Sequence, residues 1–355
     1  MWIMAFLSSV GNAGCLVAKA LIEKKTVASS TETFMSNLSV ANFLMGLYLG
    51  IIVTADVRFH GDFLSQERDW LSGLTCKAAT FLAMTSMEAS AFIVLLVAVD
   101  SMLSLRFRSK RLQTKSVWGA CLFSWLVASL LAAVPWLPGT STWEIYSRTS
   151  ICNGMPTLRG RLGGHAYSFG VLVVLNFFIA LATAACQAVV YVEVRSNYVS
   201  AITGQLSHDM VRVMTVVAME VACWFGVGVV GALSSFSVTP VSADVIGAVA
   251  VFVLPLKPAL NPLLYAFSLA MEKRRLKEEA RLMMLYTART RSQQQQPATT
   301  TQTKSTVSKA QMCLGSKEEA LLYFGQCLRS RRIEQLDIEV CLAQYEHQAL
   351  APGYD

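Results

Sequence analysis

"LPLKPALNPLLY", Leu254 to Tyr265, is the stretch on which the fold turns. It lies in an apolar run that begins near Val245, yet it holds Pro255, Pro258, Pro262, Lys257 and Asn261. In a water-soluble helix each interior proline costs about 3 kcal/mol, because it removes a hydrogen bond and crowds the turn before it. A lysine among leucines also needs a burial that lysines rarely tolerate. Either the segment is no helix, or its surroundings supply what the backbone has lost.

Composition identifies the surroundings. Of 355 residues, 54% are hydrophobic and only 15% charged, and the mean hydropathy is +0.47. A soluble domain carries about a quarter charged residues. The apolar residues come in blocks long enough for a bilayer, which asks for about 20. Seven such blocks are legible: Met1–Leu21, Phe34–Ala55, Leu74–Leu103, Val117–Leu137, Tyr167–Tyr191, Val211–Leu233 and Val245–Leu269. A cleavable signal peptide would explain only the first, which lacks a basic segment before its apolar core. The expected fold class is an all-α membrane protein, a seven-helix bundle.

Basic residues set the expected orientation. Lys24 and Lys25 mark the first connection, and Arg106, Arg108, Lys110, Arg111 and Lys115 the third. Lys273, Arg274, Arg275, Lys277 and Arg281 follow the last span. The fourth connection is an exception, with Arg148, Arg159 and Arg161, but it is longer and the rule is weaker there. Odd-numbered loops therefore face the cytosol, with the N-terminus outside and the C-terminus inside. The net charge of +7 reflects this bias and the tail, and gives no case for nucleic acid.

Beyond the seventh block, Met271–Tyr286 is amphipathic and suits the membrane surface as an eighth helix. The expected organisation is a receptor-like bundle with this helix over 1–286, a disordered Ser/Thr/Gln-rich linker over 287–311, and a tail with weak amphipathic helices over 312–355. Among the nine cysteines, Cys15, Cys121, Cys186 and Cys223 fall inside spans, and Cys313, Cys327 and Cys341 in the cytosolic tail. Cys76 and Cys152 alone face an oxidising compartment, and a disulfide between them is the economical reading over two free thiols.

Several short motifs now fall into order. "GN" stands at Gly11–Asn12, "NLSVANFLMGLYL" at Asn37–Leu49 and "WLSGLTC" at Trp70–Cys76. Trp125 with Pro135 follows, then "CW" at Cys223–Trp224 and "NPLLY" at the end of the opening stretch. Each is weak alone; together, in order and at these spacings, they resemble the rhodopsin-like G-protein-coupled receptors. "FLMGLYLGIIVTAD", "SAIT" at Ser200–Thr203 and an acid, Glu220, ahead of the "CW" resemble the relaxin and glycoprotein hormone receptors within that family. The resemblance implies a plasma-membrane receptor with a heterotrimeric G protein or arrestin as its inner partner. It also implies a peptide or protein hormone outside, captured by a leucine-rich-repeat ectodomain; this sequence starts at the first span, without one.

Departures from the resemblance are as informative. Where the family carries a sodium-binding aspartate in the second span, this chain has Asn42. Asp100 is followed by Ser101, not by the arginine or lysine that pairs with it and meets the G protein. Gly226 replaces the kinking proline of the sixth span, and Gln187 a tyrosine low in the fifth. Lys257–Pro258 stands where Asn-Ser is usual, while Asn261, Pro262 and Tyr265 are kept. By resemblance Trp224 is a rotamer switch, although a packed core aromatic is the commoner role for such a residue.

Membrane helices tolerate proline because neighbouring helices and side chains satisfy the freed carbonyls, which answers the opening problem. Asn261 is expected to bond that backbone or Asn42. Lys257 sits one turn away, level with the sodium pocket, so that a tethered ammonium replaces the diffusible cation, with Asn42 and Ser90 supplying oxygens. An intramembrane charge is costly and usually paired, and Glu220, with Glu88 the other nearby carboxylate, is the favoured partner. Snorkelling along a water-filled cavity with no fixed partner stands equally open.

Enzymatic function fits poorly: there is no phosphate-binding Gly-rich loop, no nucleophile elbow, and the four histidines show no metal spacing. No cofactor is expected. Three readings are then ordered: a signalling receptor with weak or atypical G-protein coupling, a receptor-derived decoy or partner protein, and last a transporter, which would show repeats that are missing here.

Overall fold

The computed structural model describes residues 1–23, 30–59, 63–106, 112–140, 152, 162–196, 204–236, 245 and 248–294. The described residues are mostly helical with no strand among them; of the expected linker 287–311, residues 287–294 continue a helix, and the rest of it and the tail lie outside the described residues. Seven helices are long and apolar enough to cross a membrane: Trp2–Leu21, Ser30–Arg58, Leu74–Arg106, Lys115–Trp136, Gly163–Glu193, Val213–Leu233 and Val251–Met271. They coincide with the seven apolar blocks, because only blocks of that length can satisfy the whole backbone internally in lipid. The expected surface segment Met271–Tyr286 is helical, as part of the element Leu254–Gln294.

The chain divides into two compact units. One comprises Met1–Glu193 with Arg212–Phe267 and holds the bundle; the other comprises Val194–Val211 with Ser268–Asp355, helical where described. Within the bundle the third span is central. Its apolar window is 72% buried, against 22% for the first span. Outward faces are apolar instead of polar: Leu122, Phe123, Phe178 and Phe225 are all exposed. Such a surface is stable only against lipid tails.

Two apolar clusters stack along the bundle. Tyr48, Met84, Leu172, Trp224 and Leu254 belong to one; Phe34, Leu38, Ile93, Val94 and Val217 belong to the other. Between these stretches of sequence come Asn42, Ser90, Glu220 and Lys257, all buried. A polar layer thus separates two apolar ones.

Small residues permit the closest approaches. A Cβ on Gly46 would lie 2.4 Å from the Ser9 backbone nitrogen, so the first and second spans touch there through backbone. A Cβ on Gly11 would lie 2.7 Å from the Pro262 ring. At one end of the bundle a disulfide joins Cys76 to Cys152, with Cα atoms 5.3 Å apart. Cys152 has a left-handed backbone (φ 46°), uncommon for a residue with a side chain. Its carbonyl accepts a 2.8 Å bond from the Thr80 hydroxyl, which also bonds the Cys76 carbonyl at 3.1 Å.

Candidate polar core of the bundle

Lys257 is the centre of the polar layer. Its ammonium donates to Ser90 Oγ at 2.8 Å and to Glu220 Oε2. The lysine side chain is 7% exposed and the glutamate 1%, so the pair is buried. Glu220 Oε1 takes a further bond from the Trp224 indole at 2.8 Å. One carboxylate therefore receives a cation and a neutral donor, and a single ammonium ties the third, sixth and seventh spans together. A buried charge needs such company. The space beside it measures about 20 Å³, lined in part by Met45, Ser86, Cys223 and Pro258. That is the scale of one water molecule and far below that of a ligand site.

The proline problem is solved by a residue on a different helix. Pro262 has no N–H, so the carbonyl of Pro258, four residues earlier, loses its helical donor. Asn12 Nδ2 donates to that carbonyl at 2.9 Å, and to Ser8 O at 2.9 Å. Asn261, expected to bond the freed backbone or Asn42, donates instead to Asn12 Oδ1 at 3.3 Å. Asn42 supplies no oxygen to Lys257: it is fully buried, and neither atom of its amide has a hydrogen-bond partner among the described residues.

Two groups escaped the sequence reading. Asn12 was legible only as half of a short motif, although its place one helix away from a proline-containing span could have marked it as a donor. Asn176 donates to Glu88 Oε1 at 2.8 Å and to Val171 O at 3.0 Å, so the second buried carboxylate is paired with the fifth span and not with Lys257. Both asparagines directly follow a π-helical stretch, Leu7–Gly11 and Phe169–Leu175, and each bonds a carbonyl inside it. π-Helical turns leave carbonyls misaligned and cluster at functional positions. A third, Val249–Val253, leads directly into Leu254 and the proline stretch.

At the opposite end of the third span, Asp100 is buried and accepts the Leu112 N–H at 3.1 Å. Ser101 beside it is also buried, its carbonyl taking the Ser104 hydroxyl at 3.0 Å. Arg106 pairs with Glu193 of the fifth span at 2.8 Å, and the loop residue Lys110 lies outside the described residues. Gln187 is half-buried, and its amide has no hydrogen-bond partner among the described residues. Gly226 has room around it, the nearest atom to a built Cβ being Val253 Cγ1 at 3.9 Å. Tyr265 is half-buried on the last span.

The model for 7 transmembrane receptors of the rhodopsin family matches residues 13–265. A G-protein coupled receptor, GRL101, from Lymnaea stagnalis is 27% identical over 278 residues, covering 76% of this chain and 24% of its own. Relaxin receptor 2 from Canis lupus familiaris is 24% identical over 291 residues, 78% of this chain and 38% of its own. The lutropin-choriogonadotropic hormone receptor from Bos taurus is 24% identical over 269 residues, 75% and 37% respectively. The chain spans between about a quarter and two fifths of the length of these curated relatives. With its seven spans, its disulfide and a family match across the whole bundle, the chain belongs to the rhodopsin family of seven-transmembrane receptors.

Proposed function

We propose that this chain is the membrane-embedded transducing part of a plasma-membrane G-protein-coupled receptor of the relaxin and glycoprotein hormone receptor type, with its N-terminus outside. In this reading the Lys257–Glu220 pair takes the place of the family's sodium ion and holds the resting arrangement. The carrying observation is the buried contact of Lys257 with Ser90 and Glu220, which links three spans at one nitrogen. Receptor activation separates the inner ends of the third and sixth spans, so a charged tie between them in the middle of the membrane opposes it. Trp224, bonded to the same carboxylate, moves with that tie.

Output through a G protein is expected to be low. Ser101 is short, neutral and buried, and cannot extend toward a docking helix as an arginine does. Gly226 in place of proline and Gln187 in place of tyrosine remove a defined hinge and a bracing hydroxyl. Residues 1–286 form the transducing domain, 287–311 a linker and 312–355 a tail whose serines and threonines offer arrestin a phosphorylated docking site. An extracellular peptide or protein hormone and the surrounding lipid complete the partner set.

Second-messenger output at matched surface expression tests this, with wild type beside Ser101→Arg. Weak wild-type output, raised by the arginine, is the expected result. Robust wild-type signalling through the main G-protein classes would overturn the coupling claim. In the Ser101→Arg background, Lys257→Met should raise ligand-independent output, and no rise would remove the pair as a resting tie. If Ser101→Arg leaves output low, the reading as a non-signalling partner protein is favoured.

A further inference from the structure

Away from the polar layer, a groove of about 920 Å³ lies between the first and second spans and the short helix Phe63–Ser72. Sites for small molecules run from about 300 to 1,000 Å³, so this is ample space. Trp2, Phe6 and Leu47 furnish apolar wall and are themselves exposed. Gly50 lies on the same lining, and a Cβ built there meets nothing within 4 Å.

The far end of the groove is charged. Arg58 and Asp69 both line it, both are exposed, and neither forms an ion pair among the described residues. Arg58 is not a loose side chain. Its guanidinium carbon sits 5.8 Å from the Phe59 ring centre, and Phe59 packs edge-on to Trp70 at 5.5 Å. The cation is thus held on an aromatic platform at the rim.

Length identifies the occupant. From Leu47 to Arg58 the second span rises about 16 Å at 1.5 Å per residue. That is close to half of the hydrocarbon core, which is about 30 Å thick, and so close to the depth of one leaflet. A ligand with one leaflet's length of tail and a headgroup carrying both an anion and a cation matches the apolar wall, Arg58 and Asp69 together.

We propose that this groove seats one bilayer phospholipid with a zwitterionic headgroup, its phosphate on Arg58, its ammonium on Asp69 and a tail along Leu47, Gly50 and Phe6. The site is separate from the Lys257 layer and does not depend on the signalling role argued above.

Native mass spectrometry of the full chain, released from detergent containing equal phosphatidylethanolamine and phosphatidylglycerol, tests it. Wild type should retain one phosphatidylethanolamine in preference to phosphatidylglycerol. Filling the groove with Gly50→Trp should lower retention about tenfold, and Arg58→Gln should weaken both lipids to a similar degree, as expected for a lost charge-assisted bond. Asp69→Asn should keep phosphate binding but erase the preference for the amine. Thr54→Trp, at an exposed position of the same lining, provides a second blocking variant should Gly50→Trp fail to fold, as judged by melting and by the intact Cys76–Cys152 disulfide. Equal retention of the two lipids by wild type overturns the headgroup assignment. Retention unaffected by a folded blocking variant, or a copurified peptide or second copy in the groove, overturns the lipid.

Discussion

Among the described residues, two ion pairs cross between spans of this bundle, and water is what separates them. Lys257 and Glu220 meet at 7% and 1% side-chain exposure, Arg106 and Glu193 at 60% and 16%. For the exposed pair, solvent already solvates both charges, and such contacts are worth about 0–1 kcal/mol. For the buried pair each partner, helped by Ser90 and the Trp224 indole, stands in for the water the other has lost. Losing one side of a buried pair costs about 3–5 kcal/mol, whereas replacing both with apolar groups is often neutral. The buried pair is therefore a device of position more than of stability: it fixes which faces of the third, sixth and seventh spans meet.

That contrast can be broken by measurement. Lys257→Met or Glu220→Gln alone should each cost about 3–5 kcal/mol, while the double variant regains most of it; melting of the solubilised protein reads this. Additive losses would show that the two side chains act separately. Next in size is the covalent tie at the end of the same central helix. Cys76→Ser or Cys152→Ser should cost about 2–4 kcal/mol and lower surface delivery, and both thiols found free in delivered wild type by peptide mass spectrometry would remove that link. Arg106→Gln should shift stability by at most about 1 kcal/mol, an effect that fades with added salt; a larger, salt-independent loss would make the two pairs equivalent after all. Smallest is the response to sodium. Replacing it by a large organic cation at constant ionic strength should leave the melting temperature unchanged, since Lys257 already supplies the layer's cation.

What could be read along one dimension was read well. The seven spans were legible because lipid demands unbroken apolar length, and the Cys76–Cys152 bond because the orientation expected from the basic loops leaves those two cysteines alone on an oxidising side. Partners across helices were harder. Whether Lys257 reaches Glu220 depends on the rotation of the seventh span, which three prolines and a π-helical turn set jointly. The carbonyl freed by Pro262 could be counted four residues back, but its donor, Asn12, lies 246 residues away in sequence. Asn42 was expected to face the ammonium and does not bond it, since helix position gives a level in the membrane and not a direction. Likewise Asp100, left without the basic neighbour of the family, accepts a backbone N–H while Arg106 reaches the fifth span.

The placement of Lys257 has a consequence for how the protein is made. The seventh span has a mean hydropathy of 1.2, against 2.0 for the sixth. A lone lysine at the centre of an inserting helix adds a penalty of about 2.5–3.5 kcal/mol on the scale set by the translocation machinery. Arriving last and alone, this helix would hesitate at the lateral gate. If Glu220 is waiting in the sixth span, the two charges can enter lipid as a neutral couple. The last two helices are thus expected to leave the ribosome tunnel separately but to enter the bilayer as one hairpin, and the carboxylate that tethers the finished receptor acts first as the chaperone of its final segment.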